Sequence, residues 1–132
     1  MTIPHDVIKL PFETSTPSIA RTKLAGFLTI HQAPSEAIDN ALIVISEMIA
    51  NAVCHGAPTP DGKIEISWSI RNELLEISVY DAGQAAALTP VDFDEDSLSG
   101  RGLSIISRIA DRWWVDVSDG TRVNAELQLA QA

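Results

Sequence analysis

The chain is short of several things, and each shortage closes off a class of protein. A single cysteine, Cys54, stands among 132 residues, so no internal disulfide can form and the fold must be held by its core. A chain of this length buries roughly two-thirds of the surface it would expose unfolded, enough for one domain over residues 1–132 without staples. Basic residues are scarce: 9 Lys plus Arg face 18 Asp plus Glu, a net charge of −9. A phosphate-backbone partner needs a basic face, so nucleic acid is not the expected ligand. Long uninterrupted apolar runs are missing too. The most apolar window, Ala37 to Val53, is broken by Asp39, Asn40, Glu47 and Asn51, which speaks against a membrane span. The N-terminal "MTIPHDVIKLPFE" lacks the basic-then-apolar order of a secretory signal. The expectation is a soluble, cytoplasmic protein with no membrane partner, and no repeat, linker or low-complexity segment interrupts it.

Acidity gathers in "VDFDEDSLS", residues 91–99, where Asp92, Asp94, Glu95 and Asp96 fall within five positions. The plain reading is a solvated loop. Its alternating aspartates resemble the first half of a calcium loop, but Ser97 stands where glycine is needed and Leu103 where a bidentate Glu is needed, so calcium is set aside.

Periodicity lays out the elements. "DVIKLPFE" alternates and contains proline, the mark of an edge strand over 6–13. "STPSIARTKLAGFLTIH" opens on a Ser/Thr cap and Pro17 and puts Ile19 or Ala20, Lys23 or Leu24, Phe27 and Leu28 on a helical stripe. A longest helix begins at Ser35 and stops at Gly56, with Pro58 two beyond. "KIEISWSI" and "LLEISVYD" are period-2 runs joined at residues 71–73, a hairpin, with Ile64, Ile66, Trp68 and Ile70 facing in. "GRGLSIISRIAD" predicts a third helix starting on its glycines. The final "WWVDVSDGTRVNAELQLA" predicts two strands around an Asp119–Gly120 two-residue turn, with Arg122, Asn124, Glu126 and Gln128 on a wet face. Strands grouped in hairpins, each with one apolar face, predict a two-layer α/β (α+β) sandwich. In it a mixed, mainly antiparallel sheet is covered on one face by three helices.

On the long helix at 100° per residue, Ile38, Leu42, Ile45, Ile49 and Ala52 fall within about 40° of the pole opposite Glu47 and read as the core stripe. Glu47 and Asn51 lie one turn apart on the other side, among Ile43, Val44, Ala50 and Cys54, neighbours a water-facing stripe would not favour. Two readings stand open at this point. The pair is structural, with Glu47 meeting an Arg and Asn51 a loop backbone; or it lines a cleft where a ligand or metal supplies the partners that burial demands. "VYDAGQ" ends a strand on Asp81 with Gly83 two residues on, either a common turn or a ligand-facing carboxylate. "SGRGLSII" places Gly100 and Gly102 before a helix, where backbone N–H groups and the helix dipole suit a phosphate.

"SEMIANAVCHG", "VYDAG" and "SGRGLSII", in this order, resemble the three ATP-site motifs of the GHKL ATPase/kinase superfamily. "ALIVISEMIANAVCHG", "GRGLSIISRIADRWWV" and "GTRVNAEL" are similar, more narrowly, to the anti-sigma-factor serine/threonine protein kinases, over roughly residues 10–130. The resemblance implies the Bergerat ATP-binding fold, ATP and Mg2+ as cofactors, and these roles. Glu47 orients or deprotonates the attacking hydroxyl, and Asn51 holds the magnesium. Asp81 accepts the adenine amino group, Gly83 lets the backbone approach the base, and Thr121 supports that Asp. Gly100 and Gly102 open the helix under the phosphates, with Arg101 and Leu103 between and after them; Arg101 either reaches a phosphate or points to solvent. His55 takes no chemical role.

The implied activity is transfer of the γ-phosphate of Mg-ATP to a small STAS-type anti-sigma-factor antagonist, regulating transcription by partner switching with a sigma factor. A nucleotide-binding partner switch without transfer is the alternative, and a homodimer through the first helix and sheet edge is compatible with the resemblance. Two departures bear on the choice. Ala85 stands where the family's Asp motif usually has a second glycine, and no Lys or Arg occurs between Gln84 and Ser99, where related kinases often carry a basic residue.

Overall fold

The alternating runs become five strands and the apolar-periodic runs three helices, in the order β1 (His5–Pro11), α1 (Thr16–Ile30), α2 (Ser35–His55), β2 (Lys63–Arg71), β3 (Leu74–Asp81), α3 (Leu98–Ile109), β4 (Arg112–Asp116) and β5 (Thr121–Gln128). The computed structural model describes residues 2–83 and 98–129, the latter with side chains from Ser104 on. The acidic stretch 91–97, the Ala85 departure and the segment free of Lys and Arg lie outside the described residues.

The strands form one sheet in the order β1-β2-β3-β5-β4, and all four pairings are antiparallel. The two-layer sandwich expected from the patterns is therefore present, its sheet antiparallel throughout the described residues rather than mixed, with the proline-bearing β1 at one edge and the short β4 at the other. Ile64, Ile66, Leu75, Ile77 and Ala125 are fully buried on the inner face, under Leu24 and Leu28 of α1, Val44, Ile45, Met48 and Ile49 of α2, and Ile106 of α3. Each large aliphatic side chain so buried contributes about 1.5–3 kcal/mol. By length and composition α2 would suffice to cross a bilayer, yet it packs against α1, α3, β3 and β5.

That packing shifts the face that α2 buries. The core arc holds Ala37, Ala41, Val44, Ile45, Met48, Ile49 and Ala52, while Ile38 and Leu42 are only half-buried. Its centre lies roughly 125° from Glu47 rather than at the opposite pole. Val44, expected beside the cleft, belongs to the core, because neighbouring helices flank α2 as well as the sheet beneath it.

Turns depart from expectation in two places. Arg71 pairs with Leu74, and both residues between them, Asn72 and Glu73, have positive φ (53° and 63°), the mark of a type I′ hairpin. The β4–β5 connection is longer than the two-residue turn expected at Asp119–Gly120. Asp116 pairs with Arg122, and the Asp116 carboxylate accepts from Ser118 N–H (3.0 Å) and its hydroxyl (2.8 Å). Only Gly120 there has positive φ, +72°. The aspartate side chain captures the chain early, so the Asp-Gly pair closes the loop instead of forming it. On the helix-free face of the sheet Asn124, expected to be wet, is buried, and its side-chain oxygen accepts from the Ser78 hydroxyl at 2.6 Å.

Candidate nucleotide site

The end of α2 meets the end of β3 at one carboxylate. β3 stops at Asp81, on the inner face of the sheet, with 2 % of its surface exposed. Its Oδ1 accepts from Gly83 N–H at 2.7 Å, a local turn, and from Ala57 N–H at 3.2 Å, just past the helix end. In the other direction Ala82 N–H donates to the Ala57 carbonyl at 2.9 Å. Burial pushes the Asp81 carboxyl above its ordinary range, with the two N–H donors pulling it partly back.

Glycines surround this group because nothing larger fits. A Cβ on Gly56 would lie 2.3 Å from the Asp81 carboxyl carbon, and one on Gly83 would lie 2.8 Å from Oδ1. A Cβ on Gly120, whose φ already favours glycine, would come 2.6 Å from the Asp81 carbonyl oxygen. Thr121, 1 % exposed, pairs with Asp81 across the β3–β5 ladder, and its hydroxyl donates to the Gly83 carbonyl at 2.9 Å. It thus holds the turn that carries the carboxylate rather than the carboxylate itself.

One and a half turns back along α2 stands Asn51, and one turn further Glu47. Both lie at the margin of the core arc and are half-buried. Among the described residues neither structural alternative for the pair is realised. Among the described residues Glu47 makes no ion pair or hydrogen bond, and Asn51 Nδ2 is buried with no hydrogen-bond partner. An orphaned buried amide costs about 1–3 kcal/mol, which a ligand would recover. Since rotating an amide by 180° exchanges its N and O, Asn51 is equally able to offer an oxygen to a hard cation. No group of three or more His, Cys, Asp or Glu able to hold a metal exists among the described residues. A single amide oxygen from Asn51 is compatible with magnesium, which keeps its waters and phosphate oxygens and takes few protein ligands. His55 is exposed in the helix's last turn.

Gly100 and Gly102 are placed differently from expectation. α3 begins at Leu98, so Gly100 lies in its first turn and Gly102 in its second, not ahead of it. Glycine permits a helix as well as a turn, at about 1 kcal/mol each relative to alanine, and supplies no start signal of its own. The backbone of Arg101 and Leu103 is likewise helical; their side chains lie outside what is described. A hollow of about 850 Å³ lies between β1 and α1, lined by Asp6, Phe27 and Trp68 among others and by none of the residues above. The site rests on side-chain chemistry, not on volume. Sequence reasoning missed Gly56 and Ala57, because a glycine after a long helix is indistinguishable from a stop signal.

Residues 11–127 match the sequence pattern of the histidine kinase-like ATPase domain. The serine-protein kinase RsbW of Listeria monocytogenes serovar 1/2a is 31% identical over 121 residues, covering 81% of this chain and 77% of that protein. The anti-sigma F factor of Clostridium acetobutylicum is 27% identical over 120 residues, covering 86% and 84%. Among solved structures, that of the RsbU and RsbW domains of a Mycobacterium tuberculosis protein superposes with a TM-score of 0.75 at 21% identity. It covers 98% of this chain, which spans only 33% of that one. The sandwich, the motif order and these matches together make the chain a member of the histidine kinase-like ATPase domain family, on its anti-sigma-factor kinase side.

Proposed function

We propose that this protein is an ATP-dependent serine/threonine protein kinase that phosphorylates a small STAS-type antagonist protein and regulates transcription by partner switching with a sigma factor. The observation that carries the reading is Glu47 and Asn51 on α2, without side-chain partners among the described residues, on the helix whose end is tied to the buried Asp81 carboxylate. Magnesium-bound ATP supplies the phosphoryl group. Asp81 accepts an amino hydrogen of the base, and Gly83 leaves room for the base to approach. Asn51 turns its amide oxygen to the cation, and the free N–H groups of the first turn of α3 face the phosphates. Glu47 accepts the hydroxyl proton of the incoming serine or threonine and orients its oxygen, which is most of what a protein contributes to phosphoryl transfer. The two relatives, one a serine-protein kinase and the other an anti-sigma F factor, support both the kinase and the anti-sigma parts of this reading.

The decisive experiment incubates the protein with labelled ATP, Mg2+ and a STAS-type protein. Label is expected on Ser or Thr, falling at least a hundredfold with Glu47→Ala, in line with the usual worth of a general base (about 10²–10⁴-fold). Absence of transfer to any such partner overturns the kinase. The absence of Lys and Arg between Gln84 and Ser99 favours a second reading, a nucleotide-dependent partner switch without transfer. In that case Mg-ATP binding survives Glu47→Ala with no turnover in either protein.

A further inference from the structure

Gly56 ends α2, but not in the way a terminal glycine usually does. Its φ of −94° and ψ of −160° are ordinary extended backbone that alanine adopts without strain. What forbids a side chain is the Asp81 carboxyl: a Cβ would stand 2.3 Å from its carbon, 2.3 Å from Oδ1 and 2.5 Å from Oδ2. Gly83 lies beside it and also comes close, its Cβ position 2.8 Å from Oδ1 and 3.0 Å from Gly56 Cα. Two adjacent glycines crowd the carboxylate, and its rotation is further fixed by two N–H donors that both choose the same oxygen, Oδ1. Among the described residues Oδ2 accepts no hydrogen bond.

We infer that Gly56 is a positioning residue for nucleobase selectivity: by leaving room for the Asp81 carboxylate in this one orientation, it saturates Oδ1 with backbone donors and reserves Oδ2 for an amino group of the base. An ionised carboxylate accepts and cannot donate. A base with an amino group at the contacted position is held, and one with a carbonyl there sets oxygen against oxygen and is rejected. This rests on the nucleotide reading of the site. Any side chain at position 56 turns the carboxylate, exposes Oδ1 and removes the discrimination without touching the ligand itself.

The test compares ATP with inosine triphosphate, in which a carbonyl replaces the amino group, by titration calorimetry on wild type and Gly56→Ala. Wild type favours ATP by about ten- to a hundredfold, the worth of one hydrogen bond to a charged group. In Gly56→Ala that ratio falls to within about threefold of unity while inosine triphosphate affinity holds, a change general loosening would not produce. A thermal cycle accompanies it: Gly56→Ala lowers Tm markedly less on top of Asp81→Ala than in the wild-type background, since the three atoms nearest its Cβ position all belong to the Asp81 carboxyl. If Gly56→Ala fails to fold alone, rescue by Asp81→Ala is the same result in stronger form. An ATP preference retained in Gly56→Ala, or an equal Tm loss in both backgrounds, overturns the role of Gly56 and leaves the nucleotide reading standing. Wild type binding neither nucleotide removes both, whatever the thermal cycle gives.

Discussion

Replacing Asp81 by asparagine separates what the carboxylate does for the fold from what it does for a ligand. Asparagine is nearly isosteric and keeps an oxygen that accepts from Gly83 and Ala57, so the junction between α2 and β3 survives. It puts an NH2 group where Oδ2 was, so a base amino group meets a donor instead of a charged acceptor. The lost hydrogen bond to a charged group, about 1.5–3 kcal/mol, weakens ATP roughly 10- to 150-fold. At ATP fixed at a hundred times the wild-type Kd, binding stabilises wild type by about 2.7 kcal/mol and a thirtyfold weaker variant by roughly 0.9 kcal/mol. For a chain of this size that is an upward Tm shift of roughly 10 °C against roughly 3 °C.

The unliganded protein responds with the opposite sign. Burial raises the Asp81 carboxyl above the 3.8 of an unperturbed group, so the folded state holds this proton more tightly than the unfolded chain does. The carboxyl's favourable contribution is then complete below pH 3.8 and is lost as pH rises through its higher folded-state value. Asp81→Asn is therefore more stable than wild type at neutral pH without nucleotide, and the gap closes on acidification. Melts from pH 4 to 8, with and without Mg-ATP, read both effects. A variant less stable than wild type without ligand at pH 7, or one whose ATP shift equals that of wild type, refutes the reasoning.

Two further outcomes follow from single residues. Asn51→Ala removes a buried amide nitrogen that has no partner among the described residues, so it leaves unliganded stability within about 0.5 kcal/mol of wild type in urea melts, where truncating a satisfied buried group costs about 1–3 kcal/mol. The same variant loses the magnesium dependence of ATP binding, and a large destabilisation would mean that Asn51 is structural. Glu73→Gly relieves a non-glycine residue held at φ 63° in the β2–β3 hairpin and raises stability by about 1 kcal/mol in the same assay; a loss would show that Glu73 makes a compensating contact.

The sheet and helices were legible because strand alternation and helical periodicity report burial directly, and Ile64, Ile66 and Trp68 or Leu24 and Leu28 could hardly sit elsewhere. Val44 was not, because a helical wheel gives angles but not which neighbours flank the helix. Asp119–Gly120 misled because the signal of a tight turn is the same whether or not an upstream aspartate has already bent the chain. Glu47, Asn51 and Asp81 stood out as polar groups in apolar settings, and the structure adds that the first two lack partners among the described residues. Gly56 was legible only as a helix stop: the reason it must be glycine lies 25 positions away in the chain, in a carboxylate that only the fold brings over it.

The reciprocal bonds between Ala57, Ala82 and Asp81 bear on the cost of binding as well as on its geometry. The helix bearing Glu47 and Asn51 and the strand end bearing Asp81 are already locked in register before any ligand arrives. A nucleotide at this corner therefore spends none of its binding free energy on ordering it. On the proposed nucleotide reading, breaking the Ala57–Ala82 link would weaken binding by restoring an ordering cost that the native corner has already met in folding.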